Sequence, residues 1–356
     1  MASFSHALLP LCDCLKGKVP QRADWTAIVG LANHTLTTPS LIGFVTAQRS
    51  AIPDEVAAYV HALHERNAIR NNRLSDQLEE AVVALNGAGI KPLLLKGAAM
   101  LATIPPTDRA RRLMSDLDLV VRPDEIDAAM KALASIGYNV DYEADGQQKK
   151  WYADLKRPAD VGMIDLHREF PGQSFLDQTT ADLRSHLRAS RLGAANALVP
   201  SPELQALIFV MHDQFQDHDY WTGSIDLRHL LDLRTLIAAP GGVQWDGLMT
   251  MVSGTLARNA VETQLMLLTT LFDLPWPDHY PKRLVPRVQV WRQLLQARFP
   301  QIRYFLLPIG LLDYRSHRRA ATGKQPSGDR KRRWLPRLGT LRFLMSLSYG
   351  DRAGKI

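Results

Sequence analysis

Residues 115–120 read SDLDLV, inside the longer run RRLMSDLDLVV of residues 111–121. In a strand alternate side chains share a face, so Asp116 and Asp118 point one way while Leu117 and Leu119 point into a core. Two carboxylates held a few ångströms apart repel each other, and one pKa rises unless a cation lies between them. Taken alone, the alternation suits a solvent-facing strand at least as well as a site. Its neighbours decide whether the strand belongs to an α+β sheet with a polar working face.

Upstream, LLLKGAAM (93–100) is a short apolar run broken at Lys96-Gly97 and followed by helix-compatible residues that Pro105 and Pro106 close. A glycine between a strand and a helix lets a phosphate approach the N–H groups at the helix N-terminus, and an adjacent lysine adds a point charge. The same letters also describe a tight turn with a surface lysine. A Walker-type loop is excluded, since GxxxxGK[ST] does not occur. Downstream, RPDEIDAAMKALASIGY (122–138) reads as a helix. Pro123 suits its first position, Asp124 and Glu125 its positive end, and Gly137 its stop. Two further strand candidates lie near KKWYADL (149–155) and GMIDLHREF (162–170), separated by a turn-like KRPADVG. In the second, Asp165 and His167 share one face, and Ile164 and Leu166 take the other. Asp165 is thus a third carboxylate for a divalent cation. Magnesium prefers hard oxygen ligands, and a two-metal site suits in-line displacement at phosphorus.

The flanks read as helix. Residues 1–74 carry apolar residues at helical spacings, with PDEVAAYVHALHERNAIR (53–70) the clearest case, and LSDQLEEAVVALNGAG (74–89) is amphipathic. From Ser201 the pattern is almost wholly helical, which divides the chain into a helical region (1–74), an α/β core (75–180), a helical region (181–314) and a tail (315–356). Between Arg315 and Arg342 Lys and Arg outnumber acids ten to one, so the basic excess belongs to the tail, where a weak anionic partner such as nucleic acid or an acidic membrane surface is the expectation. That tail is expected to be separable from the fold. At 356 residues, 46% hydrophobic and 22% charged, the chain has ordinary globular composition. No apolar run is long enough to span a bilayer and no secretory leader is recognisable, so a cytoplasmic protein is expected. Cys12 and Cys14 are too close to staple a fold and read as free thiols.

Together LLLKGAAM, RRLMSDLDLVV, LASIGY (133–138) and IDLHREF (164–170) resemble the uncharacterised nucleotidyltransferase family whose core belongs to the DNA polymerase beta-type nucleotidyltransferase superfamily. The resemblance covers roughly residues 75–240. It implies a small mixed-sheet palm flanked by helical N-terminal and C-terminal regions. It also implies a metal-dependent transfer of a nucleoside monophosphate from an NTP to an acceptor that the sequence does not identify, with release of pyrophosphate. Carried over, Asp116, Asp118 and Asp165 bind Mg2+ or Mn2+, and Gly97 forms the phosphate-binding turn. This turn departs from the superfamily's Gly-Ser or Gly-Gly form, and nineteen residues separate Gly97 from Asp116; Lys96 and Arg112 are the expected substitutes for the missing grip. His167, His212 and Arg228 are candidates on the substrate side. Arg228 and Asp232 also suit a solvated i, i+4 ion pair, and HDQFQDHDYW (212–221) reads as polar surface, with no zinc-ligand spacing. Two other classes stay open: a nucleotide-binding regulatory module without turnover, and a protein acting on nucleic acid or membrane surfaces through its basic tail.

Overall fold

A computed structural model of the protein describes residues 6–144, 151–168, 183–239, 241–252, 254–310 and 354–356. The basic segment 315–342 lies outside the described residues. Three short helices, α1 (Leu8–Leu15), α2 (Trp25–His34) and α3 (Ile42–Ala47), precede α4 (Asp54–Gly87). Asp54 and Glu55 lie in the first turn of α4, where its dipole is positive. Gly89, at φ +77, makes the left-handed turn just beyond the other end. No glycine or proline interrupts residues 54–86, so the two helical stretches read on either side of residue 74 are one 34-residue helix, about 51 Å long. That length serves two cores. Ala57 and Val60 join a cluster built from residues 7–60 and 204–307 together with Leu93, Leu95, Met100 and Val120 of the palm, while Leu74, Leu78, Ala81, Val82 and Leu85 lie beneath the sheet.

The sheet has seven strands in the order β3-β4-β5-β2-β1-β7-β6: β1 (Leu93–Leu94), β2 (Asp116–Val120), β3 (Asn139–Glu143), β4 (Tyr152–Lys156), β5 (Met163–His167), β6 (Leu187–Leu192) and β7 (Ala195–Pro200). It is mixed, with β2 parallel to β5, β1 parallel to β7, and antiparallel pairs elsewhere. Helix α5 (Lys96–Thr103), the one-turn α6 (Pro106–Arg109) and α7 (Ile126–Ser135) lie between the early strands. Leu117, Leu119, Ala153, Leu155, Ile164 and Leu166 are buried on one face, in one cluster with residues of α4 and α7. The opposite face is therefore the polar one, as the alternation of β2 and β5 requires. The sheet continues to residue 200, past the 180 at which the sequence reading ends the palm. The β6–β7 hairpin escapes notice because β6 is an edge strand with exposed Arg188, Ala189 and Arg191, and its apolar alternation is carried mostly by alanines.

Beyond the sheet stand α8 (Pro202–Met211), α9 (Asp219–Thr222), α10 (Leu227–Ala238), α11 (Trp245–Thr250), α12 (Thr255–Phe272), α13 (Leu284–Arg298) and α14 (Arg303–Gly310). Ser201 and Asp226 cap α8 and α10, each side chain accepting from the backbone N–H three residues on. These helices share their core with α1–α3, so the two helical ends of the chain form one body against the palm. No helix of the described residues is long and apolar enough to cross a membrane. Cys12 and Cys14 are buried and unpaired, and burial pushes both thiols up to about 12.

Candidate active site

Register builds the site. Asp118 on β2 lies opposite Asp165 on β5, and Asp165 lies opposite Asp154 on β4. Strands sit about 4.8 Å apart, so three carboxylates form a row across the polar face, with Asp116 one pleat away on β2. Into this row reaches Lys96, the first residue of α5. Its backbone takes a left-handed φ of +45, a strained setting for a side chain that bears a Cβ. Its Nζ donates to Asp118 Oδ1 at 2.9 Å, and both side chains are nearly buried. The backbone secures the same junction, with Leu95 N–H donating to the Asp118 carbonyl. His167 Nε2 stands 3.4 Å from Asp118 Oδ1.

The electrostatics are uneven. Burial pulls the Asp118 carboxyl upward, but Lys96 and then His167 outweigh it and hold Asp118 well below the usual carboxylate range. Burial likewise pulls Lys96 down, yet Asp118, Asp116 and Asp165 leave it raised. At Asp165 the lowering by Lys96 is outweighed. Burial first, then the fields of Asp118, Asp116 and Asp154, push its carboxyl up to about 8. Asp154 is also raised, chiefly by burial, with a hydrogen bond to Asp165 working against it. Lys96 therefore stabilises the charge of Asp118 but does not offset the forces that raise Asp165 and Asp154.

These residues fit a divalent cation. Asp118, Asp165 and His167 each offer a ligand atom, and those atoms lie within 4.8 Å of one another. Asp165 Oδ1 is buried with no hydrogen-bond partner, the kind of orphaned hard oxygen that such an ion satisfies. Asp116 stands outside that triplet; it begins the strand, half-buried, and Ser115 Oγ donates to its Oδ1.

The remaining sequence-predicted residues divide. Gly97 is buried in the first turn of α5, and a Cβ there would sit 2.8 Å from Arg112 Nη1 and 3.0 Å from Met114 Sδ, so this glycine admits the Arg112 guanidinium. Arg112 in turn donates from Nε to both oxygens of Asp232 on α10, at 2.9 Å each. Asp232 thus pairs across to the palm. The i, i+4 partner read from the helix pattern, Arg228, instead donates weakly to the Leu113 carbonyl. His212 begins a π-helical turn (His212–Gln216) after α8; burial, then the nearby Lys96 charge, lower its pKa.

HDQFQDHDYW is no polar surface. Asp213 and Asp219 are buried, and with Asp217 and Asp226 they surround the ammonium of Lys355, at 3.9, 2.7, 3.0 and 3.0 Å for Asp213, Asp219, Asp217 and Asp226. Lys355 is held there by its backbone: Ile225 and Ile356 exchange N–H···O bonds, and the Lys355 carbonyl lies 2.7 Å from His34 Nε2. Residues 354–356 are therefore built into the fold, so the stretch after residue 315 is not separable as a whole.

Several supporting residues carry little sequence signal. Asn67 and Asn71, buried in mid-helix α4, donate to the carbonyls of Arg109, Ala110 and Arg112, and Arg70 Nε donates to the Met114 carbonyl. Together they pin the loop that leads into β2. Asparagine in the middle of a long helix is an unfavourable choice, and that mismatch was the available hint. Asp154 had a weaker one, the alternation of Tyr152, Asp154 and Lys156.

A family described as uncharacterised nucleotidyltransferase matches residues 21–273. This chain belongs to that family. Among solved structures, it is similar to an antigenic nucleotidyltransferase-like protein from Paracoccidioides brasiliensis, at 18% identity over 55% of this chain and 88% of that one, with a TM-score of 0.32. No curated protein matches the chain significantly.

Proposed function

Given that family as the starting point, we propose that the protein transfers a nucleoside monophosphate from an NTP to an acceptor, releasing pyrophosphate, and that its palm is of the DNA polymerase beta type. The observation that carries this reading is the carboxylate row Asp118–Asp165–Asp154, with Asp165 and Asp154 raised and a buried lysine at its flank. Strongly shifted groups gathered on one face mark functional sites more often than structural ones. Asp118 and Asp165, with Asp116 beside them, would hold Mg2+ or Mn2+. A bound ion of this kind supplies charge to neutralise the phosphates and orients the reacting oxygens. The acceptor nucleophile forms a bond to the α-phosphorus as the bond from that phosphorus to the bridging oxygen breaks, and the electron pair leaves with pyrophosphate. Asp165, opposite Asp118 in the row, would in its ionised form also help to take up the acceptor's proton. Lys96, released from Asp118, would carry its charge to the triphosphate.

Arg112 is assigned a different task from the phosphate grip read in the sequence. Bound to both oxygens of Asp232, it ties the loop before β2 to the helical half and so positions the acids. His212, whose pKa the Lys96 charge helps to lower, and Arg228 remain candidates on the substrate side. Two buried, unpaired thiols suit a reducing, cytoplasmic setting. The experiment is incubation of the protein with magnesium, cell extract and each labelled triphosphate in turn, preceded by thermal melts with the four ribonucleotides and their deoxy forms. A nucleotide that binds the folded state must raise the melting temperature, and label must then pass to an acceptor. Melts unmoved by every nucleotide at millimolar concentration sink the reading; a shift without transfer favours the regulatory-module alternative.

A further inference from the structure

Three rings cross the polar face beside the carboxylate row. His167 on β5 stands next to Asp118; Tyr152 on β4 is its direct register partner, with ring centroids 6.0 Å apart and planes inclined by 33°. Tyr142 on the edge strand β3 follows at 5.4 Å and 37°. His167 and Tyr152 are half-buried, and Tyr142 at the outer end is exposed. Packing does not call for Tyr142, because all of β3 is exposed. An aromatic ring there leaves a π surface open to solvent at the end of a path that starts at the acids.

We propose that this row is the stacking platform for the nucleobase of the triphosphate whose phosphates lie at the carboxylate row; the inference rests on the nucleotide reading above. A triphosphate seated at Asp118 and Lys96 has its base one sugar away, and His167, Tyr152 and Tyr142 form a continuous aromatic surface leading from that point toward the open edge. Ring faces recognise any base, since every base has a π face. The platform therefore binds purines and pyrimidines alike and leaves discrimination to other contacts. An aromatic group on the acceptor is the competing occupant.

Calorimetric titration of the full chain with magnesium and ATP, GTP, CTP or UTP, and with magnesium tripolyphosphate as a probe without a base, tests this. Tyr142→Ala is expected to weaken all four nucleotides by about tenfold, the lower part of the range for base–aromatic stacking. It leaves tripolyphosphate unchanged, and Tyr142→Phe keeps wild-type affinity. The edge position of Tyr142 makes misfolding of either variant a minor concern, and a thermal melt checks it. Wild-type nucleotide affinity in Tyr142→Ala overturns the platform, as does equal weakening of tripolyphosphate or an effect confined to acceptor labelling. Wild-type protein that binds tripolyphosphate as tightly as nucleotides also overturns it while sparing the phosphate site. Binding of neither overturns the nucleotide reading as well.

Discussion

Two carboxylate clusters among the described residues are balanced in opposite ways. In the helical half, Asp213, Asp217, Asp219 and Asp226 close around Lys355, and the His229 ring lies against Asp213 and 3.4 Å from Asp226. Burial raises Asp213, but His229 and Lys355 overcome it and hold the carboxyl far below its ordinary range. Burial lowers His229, and Asp213 and Asp226 reverse that. On the palm, Lys96 satisfies Asp118, and Asp165 and Asp154 are left raised. A cluster whose cations come from its own chain is a structural device. One whose acids stay raised is where the proposed cation would bind.

The strongest test of that contrast is Asp118→Asn, which preserves volume but removes a ligating charge. Transfer of label is expected to fall by about a thousandfold while circular dichroism and gel filtration stay native. Wild-type transfer would reduce the palm cluster to structure. The mirror experiment is Lys355→Met. It strands four carboxylates in a largely buried pocket, and loss of one partner of a buried ion pair costs about 3–5 kcal/mol. Urea melts should show that loss, and an unchanged midpoint would remove the distinction from the other side. Truncation after Ala320 should destabilise for the same reason.

On the other face of β2 from the acids lies the palm core. Leu117 is fully buried between Asp116 and Asp118, so Leu117→Ala should cost about 3 kcal/mol of stability, read from the same melts, with nucleotide affinity kept in the folded fraction. Indifference at Leu117 would mean the faces of β2 are reversed.

The subtlest effect is in pH. Asp165 is pushed up to about 8 in the fold from an ordinary value of 3.8, so between those values the native state holds a proton that the unfolded chain has lost. By linkage this contribution is present below about pH 4 and disappears as pH rises through 8. Asp213, shifted the other way, contributes stability that is present at neutral pH and lost in acid. Asp165→Asn should therefore flatten the decline in stability from pH 4 to 8 and leave the acid limb intact. A decline of wild-type steepness in the variant would show that the palm cluster does not titrate as described.

Much of the palm was legible because local rules and the fold agree there. Alternation placed Leu117, Leu119, Ile164 and Leu166 inward and Asp116, Asp118 and Asp165 on the polar face, and each of the four apolar residues is buried. Helix punctuation at Pro123 and Gly137 was readable for the same reason. The β6–β7 hairpin was not, since its alternation is carried largely by small alanines beside exposed arginines on an edge strand. Asp154 could not be matched to Asp165 without the β4–β5 register, and nothing local linked Arg112 to Asp232 across 120 residues.

By itself, then, the order of residues determined periodicity: which side chains share a face, where helices stop, and that acids and a lysine recur near one strand. Partnership was decided by the tertiary structure alone. The fate of a buried charge depends on the opposite charges within a few ångströms, and those come from distant parts of the chain. The same aspartate that reads as polar surface at position 213 is buried because the His229 ring lies against it and Lys355 folds back beside them. Lys96, equally readable as a surface residue, is buried because Asp118 stands within 2.9 Å.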